Sequence, residues 1–171
     1  MMMRLIAVGL TALALAGCTT SRAPEAPVGA PIPVESESIT YETGPCFGLC
    51  PVYSVTVRPD GTGTFNGIRN TAVTGERDFT LTADQYAAFK AKLAPYRPET
   101  GTVRYAHGEP NCEQVATDMP SAEVTWTRPI GDSQNLYFYF GCTAEQNSDI
   151  ADALGQAPEL LPIERFIGEQ P

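Results

Sequence analysis

The feature of this sequence that most restricts its fold is a short alternating run that ends in a turn. Val52 to Val57 reads VYSVTV, in which every second residue is a large apolar or aromatic one. Alternation with a period of two predicts a β-strand with one buried face. The next residues, Arg58-Pro59-Asp60-Gly61, predict a turn, because proline presets φ and glycine accepts a positive φ. Thr62 to Phe65 is therefore expected to pair back as a hairpin.

Several other segments carry strand or turn signals. Asn66-Gly67 predicts a second tight turn, leading into Ile68 to Val73. Two later runs, Glu123 to Thr127 and Leu136 to Phe140, flank breaker residues and predict another hairpin. Shorter strands are predicted at Ser38 to Tyr41, Phe79 to Leu81 and Thr102 to Tyr105.

Two segments match the capping box that begins many helices. Thr82-Ala83-Asp84-Gln85 precedes a helix expected to end at about Ala94, and Thr143-Ala144-Glu145-Gln146 precedes one to about Leu154, with Gly155 just past its end. A last helical turn is expected within Glu159 to Ile167. Hairpins and helices in mixed order indicate an α+β fold, in which an antiparallel β-sheet carries two or three helices on one face and disulfides add stability.

The strand at Leu136 to Phe140 alternates in an unusual way, because both of its faces are aromatic or apolar. If Leu136 and its partners face the core, Tyr137 and Tyr139 lie either under a helix or on an exposed aromatic patch. Burial is the favoured reading, since a tyrosine needs only one end in water. The exposed alternative makes Tyr137 and Tyr139 the candidate contact face.

The N-terminal residues predict where in the cell the protein is located. Arg4 precedes an apolar run, Leu5 to Ala16, that is too short to span a bilayer and fits a signal peptide over residues 1–17. The run ends in Leu15-Ala16-Gly17-Cys18, which resembles the lipobox of bacterial lipoproteins. That resemblance implies lipidation of Cys18, with acyl chains holding the protein to a membrane. The alternative is ordinary secretory cleavage with Cys18 as an incidental thiol.

The residue after the lipidated cysteine suggests which membrane. Thr19, rather than an aspartate, implies sorting to the outer membrane, so the expected location is its periplasmic face. Residues 18–36 then form a tether rich in proline and alanine, which reaches up to roughly 50 Å if it is extended. Residues 37–171 are expected to form a single domain.

Four cysteines remain once Cys18 carries lipid. An exported protein meets an oxidising compartment, so Cys46, Cys50, Cys112 and Cys142 predict two disulfides, and three connectivities are open. We favour Cys46–Cys50 with Cys112–Cys142, because proline and glycine around the first pair suit a tight turn. A thiol redox pair at Cys46 and Cys50 is the sharper alternative, although redox pairs usually have two intervening residues and open a helix.

Composition and motifs exclude some functions. The formal charge of −9 argues against nucleic-acid binding, which needs a basic surface. The single histidine, His107, makes a metal site or a hydrolytic triad a weak alternative, and no nucleophile or phosphate-binding motif is present. No cofactor, metal or catalytic residue is therefore expected.

The run from Gly44 to Val57 is distinctive, because it contains C-F-G-L-C-P-V-Y and is followed by Asp60-Gly61 and Phe65-Asn66-Gly67. It resembles a bacterial domain family of unknown function with the signature C-F-G-x-C-P-x-Y, found in exported proteins and lipoproteins. The resemblance spans roughly residues 37 to 142. It implies no activity, but it supports a Cys46–Cys50 bridge.

The sequence therefore predicts a lipoprotein with a non-catalytic domain, whose role is binding or envelope assembly. An envelope protein is the expected partner, besides the membrane itself. The alternative functions are thiol–disulfide exchange at Cys46 and Cys50, and hydrolysis around His107.

Overall fold

The computed structural model describes residues 37–168. The signal peptide, Cys18 and the tether predicted from the sequence lie outside these residues. Seven β-strands make up the sheet: β1 (Ser38–Thr43), β2 (Val52–Val57), β3 (Thr62–Arg69), β4 (Gly75–Thr80), β5 (Thr102–Tyr105), β6 (Ser121–Thr127) and β7 (Ser133–Tyr139). Three α-helices accompany it: α1 (Ala83–Leu93), α2 (Ser148–Gln156) and α3 (Glu164–Ile167). Short 3₁₀ turns cover Ala94–Tyr96, Glu145–Asn147 and Ala157–Leu160.

The strands form one sheet in the order β4-β3-β2-β1-β6-β7-β5. All neighbours are antiparallel except β5 and β7, which run parallel. The sheet places β1 at its centre, so the first described strand is paired on both sides. This architecture confirms the predicted α+β fold, and the one parallel edge strand is its departure from a purely antiparallel sheet.

One face of the sheet carries the core. Residues at alternate positions point to this face and are almost fully buried, as the strand pattern predicts. They pack with apolar residues from the three helices into one core cluster. Tyr41 illustrates the packing, because its hydroxyl donates a hydrogen bond to the carbonyl of Leu154 in α2 at 2.9 Å. The opposite face, which we call the open face, has no helix on it within residues 37–168.

The first hairpin forms as predicted. Gly61 adopts φ +83° in the turn, and the Asp60 carboxylate accepts hydrogen bonds from the backbone N–H and the hydroxyl of Thr62. The predicted turn at Asn66-Gly67 is wrong, because β3 continues through both residues. Pairing with β2 on one side and β4 on the other satisfies the backbone there, and this outweighs the local turn preference.

The two capping boxes have different outcomes. Thr82 accepts a hydrogen bond from the backbone N–H of Gln85, whose side chain accepts from Thr82, so the first box is confirmed. The second is wrong: the chain forms a 3₁₀ turn first, and α2 begins only at Ser148. Asn147 is the reason, because its buried amide donates to the carbonyls of Asn111 and Cys142. Gly155 lies inside α2 rather than after it.

The loops gather at two ends of the sheet. Because strands alternate in direction, the connections 44–51, 70–74, 106–120 and 140–147 all lie at the end where β1 finishes. We call this the disulfide end, since it holds both disulfides. The chain enters the described region at Glu37, at the opposite end. No helix within residues 37–168 is long and apolar enough to cross a membrane.

Candidate functional site

The disulfide end is built around the connection between β1 and β2. A disulfide joins Cys46 to Cys50, with Cα atoms 5.8 Å apart, which agrees with the connectivity favoured from the sequence. Hydrogen bonds fix this loop to the strand and loop beside it: the Gly44 N–H donates to the Ser121 carbonyl at 2.8 Å, and the Phe47 N–H donates to the Asp118 carbonyl at 3.1 Å. The loop is therefore held at both its base and its tip.

The loop displays apolar side chains to water. Phe47 is 87% exposed and Leu49 is 64% exposed, although both lie between the bridged cysteines. Met119, one residue beyond the hydrogen-bond partner of Phe47, is 41% exposed. Ile68, 57% exposed, lies at a β-bulge where β3 has an extra residue against β2, two residues before Asn70, whose side chain is hydrogen-bonded to this loop. We call Phe47, Leu49, Ile68 and Met119 the apolar tip.

The bulge explains how Ile68 reaches this surface. The register of β2 with β3 shifts between Val52 and Tyr53, so Ile68 has no residue opposite it. The next turn is tied to the disulfide loop, because the Asn70 amide donates to the Cys50 carbonyl at 3.1 Å. Backbone pairing and a side-chain hydrogen bond thus hold Ile68 near the Cys46–Cys50 loop.

The second disulfide fixes the long loop before β6. Cys112 and Cys142 are bridged and buried, with Cα atoms 4.9 Å apart. The N–H of Ala116 donates to the Gly141 carbonyl at 2.7 Å, which adds a backbone contact beside the bridge. This loop carries Met119, so the second disulfide also supports the apolar tip.

His107 lies in the same loop but is exposed. Within the described residues no hydrogen bond joins it to a serine or a carboxylate. No group of three metal-ligating side chains occurs among residues 37–168 either. The geometry around His107 therefore gives no support to the hydrolytic alternative.

The predicted contact face, Tyr137 and Tyr139, lies on the open face of β7. The favoured expectation of burial is met only in part: both tyrosines are half-buried, and Tyr139 packs against the core cluster. The Arg104 guanidinium carbon sits 4.2 Å from the centre of the Tyr137 ring, a cation–π contact. The Tyr139 hydroxyl accepts a hydrogen bond from the Met119 N–H at 3.3 Å. Each tyrosine thus already has a partner within the domain.

Polar side chains cover the rest of the open face. One row crosses all seven strands: Glu76, Asn66, Ser54, Glu42, Glu123, Tyr137 and Arg104. Within it Glu42 and Glu123 stand directly opposite each other, which places two like charges side by side. Burial, and then the charge of Glu123, raise the pKa of Glu42. The Asn135 amide donates to Glu123 at 2.7 Å and offsets part of the repulsion.

Sequence reasoning missed an ionic network at the opposite end. Glu37 forms ion pairs with Arg97 at 2.7 Å and with Lys90 at 3.4 Å. Burial alone raises the pKa of Glu37, but the hydrogen bond and charge of Arg97, aided by Lys90, outweigh it and lower that pKa. Arg97 also donates to the buried amide oxygen of Gln134, and its guanidinium lies 5.7 Å from the ring centre of Trp126. No local motif signals contacts between residues so distant in sequence.

Sequence reasoning also missed the apolar tip. The signal was present, because Phe47 and Leu49 alternate with glycine inside a loop that a disulfide closes. A loop that short has no interior in which to bury two large side chains. No local sequence pattern predicts that Ile68 and Met119 belong to the tip. The position of Ile68 depends on a β-bulge, and that of Met119 depends on the fold of the long loop before β6.

Comparison with known proteins gives a family without an assigned activity. No curated protein matches the chain. The domain of unknown function DUF6438 matches residues 37–158, which is well over half of the chain and nearly all of the region described above. The expectation of an uncharacterised family is thereby confirmed. The chain belongs to the DUF6438 family.

Proposed function

We propose that this protein is a lipoprotein of the outer membrane, with a non-catalytic binding domain in the periplasm that makes its contact through the apolar tip. The lipid anchor on Cys18 and the tether over residues 18–36 rest on the sequence pattern. The contact surface rests on the geometry of the disulfide end.

The exposure of Phe47 is the observation that carries the proposal. Burying a phenylalanine side chain contributes about 1.5–3 kcal/mol, and this domain leaves that contribution unused. The surrounding loop is fixed by a disulfide and by hydrogen bonds to Asp118 and Ser121. A rigid loop loses little conformational entropy on binding, so an apolar side chain displayed on it is suited to contact.

The tip is better suited to contact than the two tyrosines. The Tyr137 ring already has Arg104 on it, and the Tyr139 hydroxyl is hydrogen-bonded to the loop that carries Met119. A partner at Tyr137 would have to displace Arg104. Phe47 needs no such rearrangement. In the proposal, Tyr137 and Tyr139 flank the contact rather than form its centre.

The lipid anchor on Cys18 has a direct test. In the full-length protein, Cys18→Ser should abolish acylation and release the protein from the membrane fraction into the periplasmic extract. Metabolic labelling with a radioactive fatty acid, followed by membrane fractionation, measures both. A Cys18→Ser protein that stays in the membrane fraction, or a wild-type protein that takes up no label, would contradict the lipid anchor.

The contact surface is tested by photo-crosslinking in living cells. A photoreactive phenylalanine analogue at position 47 should form adducts in the envelope, whereas the same analogue at position 130 should not. Ile130 is a matched control, because it is 83% exposed but lies in the β6–β7 turn at the opposite end. Equal yields at both positions, or adducts at Tyr137 and none at Phe47, would reject the tip as the contact surface.

The alternative function, thiol–disulfide exchange at Cys46 and Cys50, has one observation in its favour. Both cysteines are only partly buried, so a partner thiol could reach them. Against it, Pro51 leads directly into β2, so the pair lacks the helix N-terminus that lowers the pKa of many redox thiols. Turnover of a dithiol substrate by the wild-type protein, lost in Cys46→Ala, would favour this alternative.

A further inference from the structure

We propose that the apolar tip inserts into the surface of the same membrane that holds the lipid anchor, so that the domain has a second membrane contact. This inference rests on the proposed function, because it takes the anchor as given. It deepens that function by naming the partner of the tip: a phospholipid surface rather than a protein.

The size of the tip favours lipid over protein. A buried aromatic side chain covers about 150–250 Å². A stable protein interface needs about 800 Å² from each partner, together with matching shape. Two protruding side chains, Phe47 and Leu49, and two half-exposed ones, Ile68 and Met119, fall short of that area. A lipid surface needs no matching shape, and phenylalanine and leucine are typical of side chains that enter its interface.

The tether makes a weak contact sufficient. An extended segment of 18 residues reaches roughly 50 Å, whereas β1, with six residues, separates Glu37 from the disulfide end by about 20 Å. The tip can therefore meet the membrane although the chain enters at the opposite end of the sheet. The anchor and the tip belong to one chain, so docking of the tip is intramolecular and even a weak affinity keeps it docked much of the time.

The charges near the tip indicate the kind of lipid. Arg69 and Asp118 lie on either side of the loop and have opposite signs, so they form no basic patch. The whole chain has a formal charge of −9, which opposes attraction to anionic lipid. The tip should therefore depend on apolar insertion into a largely zwitterionic surface, and added salt should change its docking little.

The test uses the full-length lipoprotein reconstituted in vesicles of phosphatidylethanolamine with a minority of phosphatidylglycerol. Phe47→Trp and Ile130→Trp each add one exposed indole, while the natural Trp126 is buried in the core and supplies a constant background. A fraction of the lipid carries bromine on its upper acyl chains, where it quenches nearby indoles. Flotation of the vesicles measures the anchor independently.

We expect at least about twofold quenching of the added indole in F47W, since interfacial side chains sit about 5–10 Å into the headgroup boundary. The indole added by I130W should show no quenching. Adding L49S to F47W should weaken docking about tenfold, because burying a leucine is worth roughly that factor.

Each other outcome overturns the inference in a recognisable way. Protein that floats with the vesicles while F47W is no more quenched than I130W would reject lipid insertion and leave the anchor intact. Protein that fails to float would reject the anchor and, with it, the second contact. Crosslinks from position 47 to a protein in cells, without quenching by vesicles, would assign the tip to a protein partner instead.

Discussion

At the scale of single residues, the open face places Glu42 against Glu123, and this pair predicts a dependence of stability on pH. Burial and the Glu123 charge raise the pKa of Glu42 above its ordinary value of 4.5. The folded state therefore holds the Glu42 proton more tightly than the unfolded state does. Ionisation of Glu42 opposes folding, so this residue makes the protein less stable as pH rises through the raised pKa.

Removing that charge should stabilise the domain. Glu42→Gln is expected to raise the free energy of unfolding at pH 7 by about 0.2–1 kcal/mol, the usual scale for charges directly opposite in a sheet. Urea unfolding measures this free energy for wild type and variant. Glu76→Gln is the matched control, because Glu76 lies in the same row but faces Asn66. A Glu42→Gln protein that is less stable than wild type would contradict the conclusion that the Glu42 charge destabilises the fold.

At the end of the sheet opposite the disulfides, Arg97 contacts three other side chains: Glu37, Gln134 and Trp126. It pairs with Glu37 and donates to the Gln134 amide oxygen through two nitrogens. Lysine has no fork of donors, so Arg97→Lys leaves this buried oxygen poorly satisfied. The substitution should lower the free energy of unfolding by about 1–3 kcal/mol. Arg128→Lys, at an exposed pair with Asp132, should change it by less than about 1 kcal/mol.

The effect of Arg97→Lys should also depend on pH. The pKa of Glu37 is lowered in the folded state, so its ion pairs stabilise the protein above the ordinary pKa of 4.5. That stabilisation is lost as pH falls through the lowered pKa and Glu37 is protonated. The difference between wild type and Arg97→Lys should therefore shrink below pH 4.5. A difference that stays constant down to pH 2, or grows, would show that the loss comes from the Gln134 contact and that Glu37 adds nothing to it.

At the scale of elements, the two disulfides close loops of very different length. Cys46 and Cys50 are 4 residues apart, whereas Cys112 and Cys142 are 30 apart. Chain entropy predicts stabilisation of about 2 kcal/mol from the short loop and about 3.5 kcal/mol from the long one. The double variant Cys112→Ala/Cys142→Ala should therefore lose more stability in urea than Cys46→Ala/Cys50→Ala. The reverse order would mean that the short loop does more than display side chains.

Elements also show how far sequence reasoning reaches. The hairpin after Val57 and the helix after Thr82 were predictable, because turn residues and a capping box act within a few residues of each other. The turn at Asn66-Gly67 was not, since two neighbouring strands override the local preference. The start of α2 depends on Asn147, whose partner Asn111 lies 36 residues away. Contacts at that separation leave no periodic pattern in the sequence.

At the scale of the whole molecule, the sheet divides the domain into a helix-covered core and an open polar face. The core face followed from strand alternation, since Tyr53, Val55 and Val57 are all buried. The candidate site could not be predicted from strand alternation. The two bridges were predictable as cysteine pairs, but the apolar tip combines a loop, a bulge and a strand end that only the folded topology places together.

The central claim is that the Cys46–Cys50 bridge is a structural support for the apolar tip rather than a redox centre. The most direct test is the reduction potential of this pair in the purified protein, measured in dithiol redox buffers, together with a count of its free thiols. We expect no free thiol and a potential below about −300 mV, as for structural disulfides of exported proteins. A more oxidising potential, or a Cys46–Cys50 pair found reduced in the purified protein, would contradict the account and favour thiol–disulfide exchange.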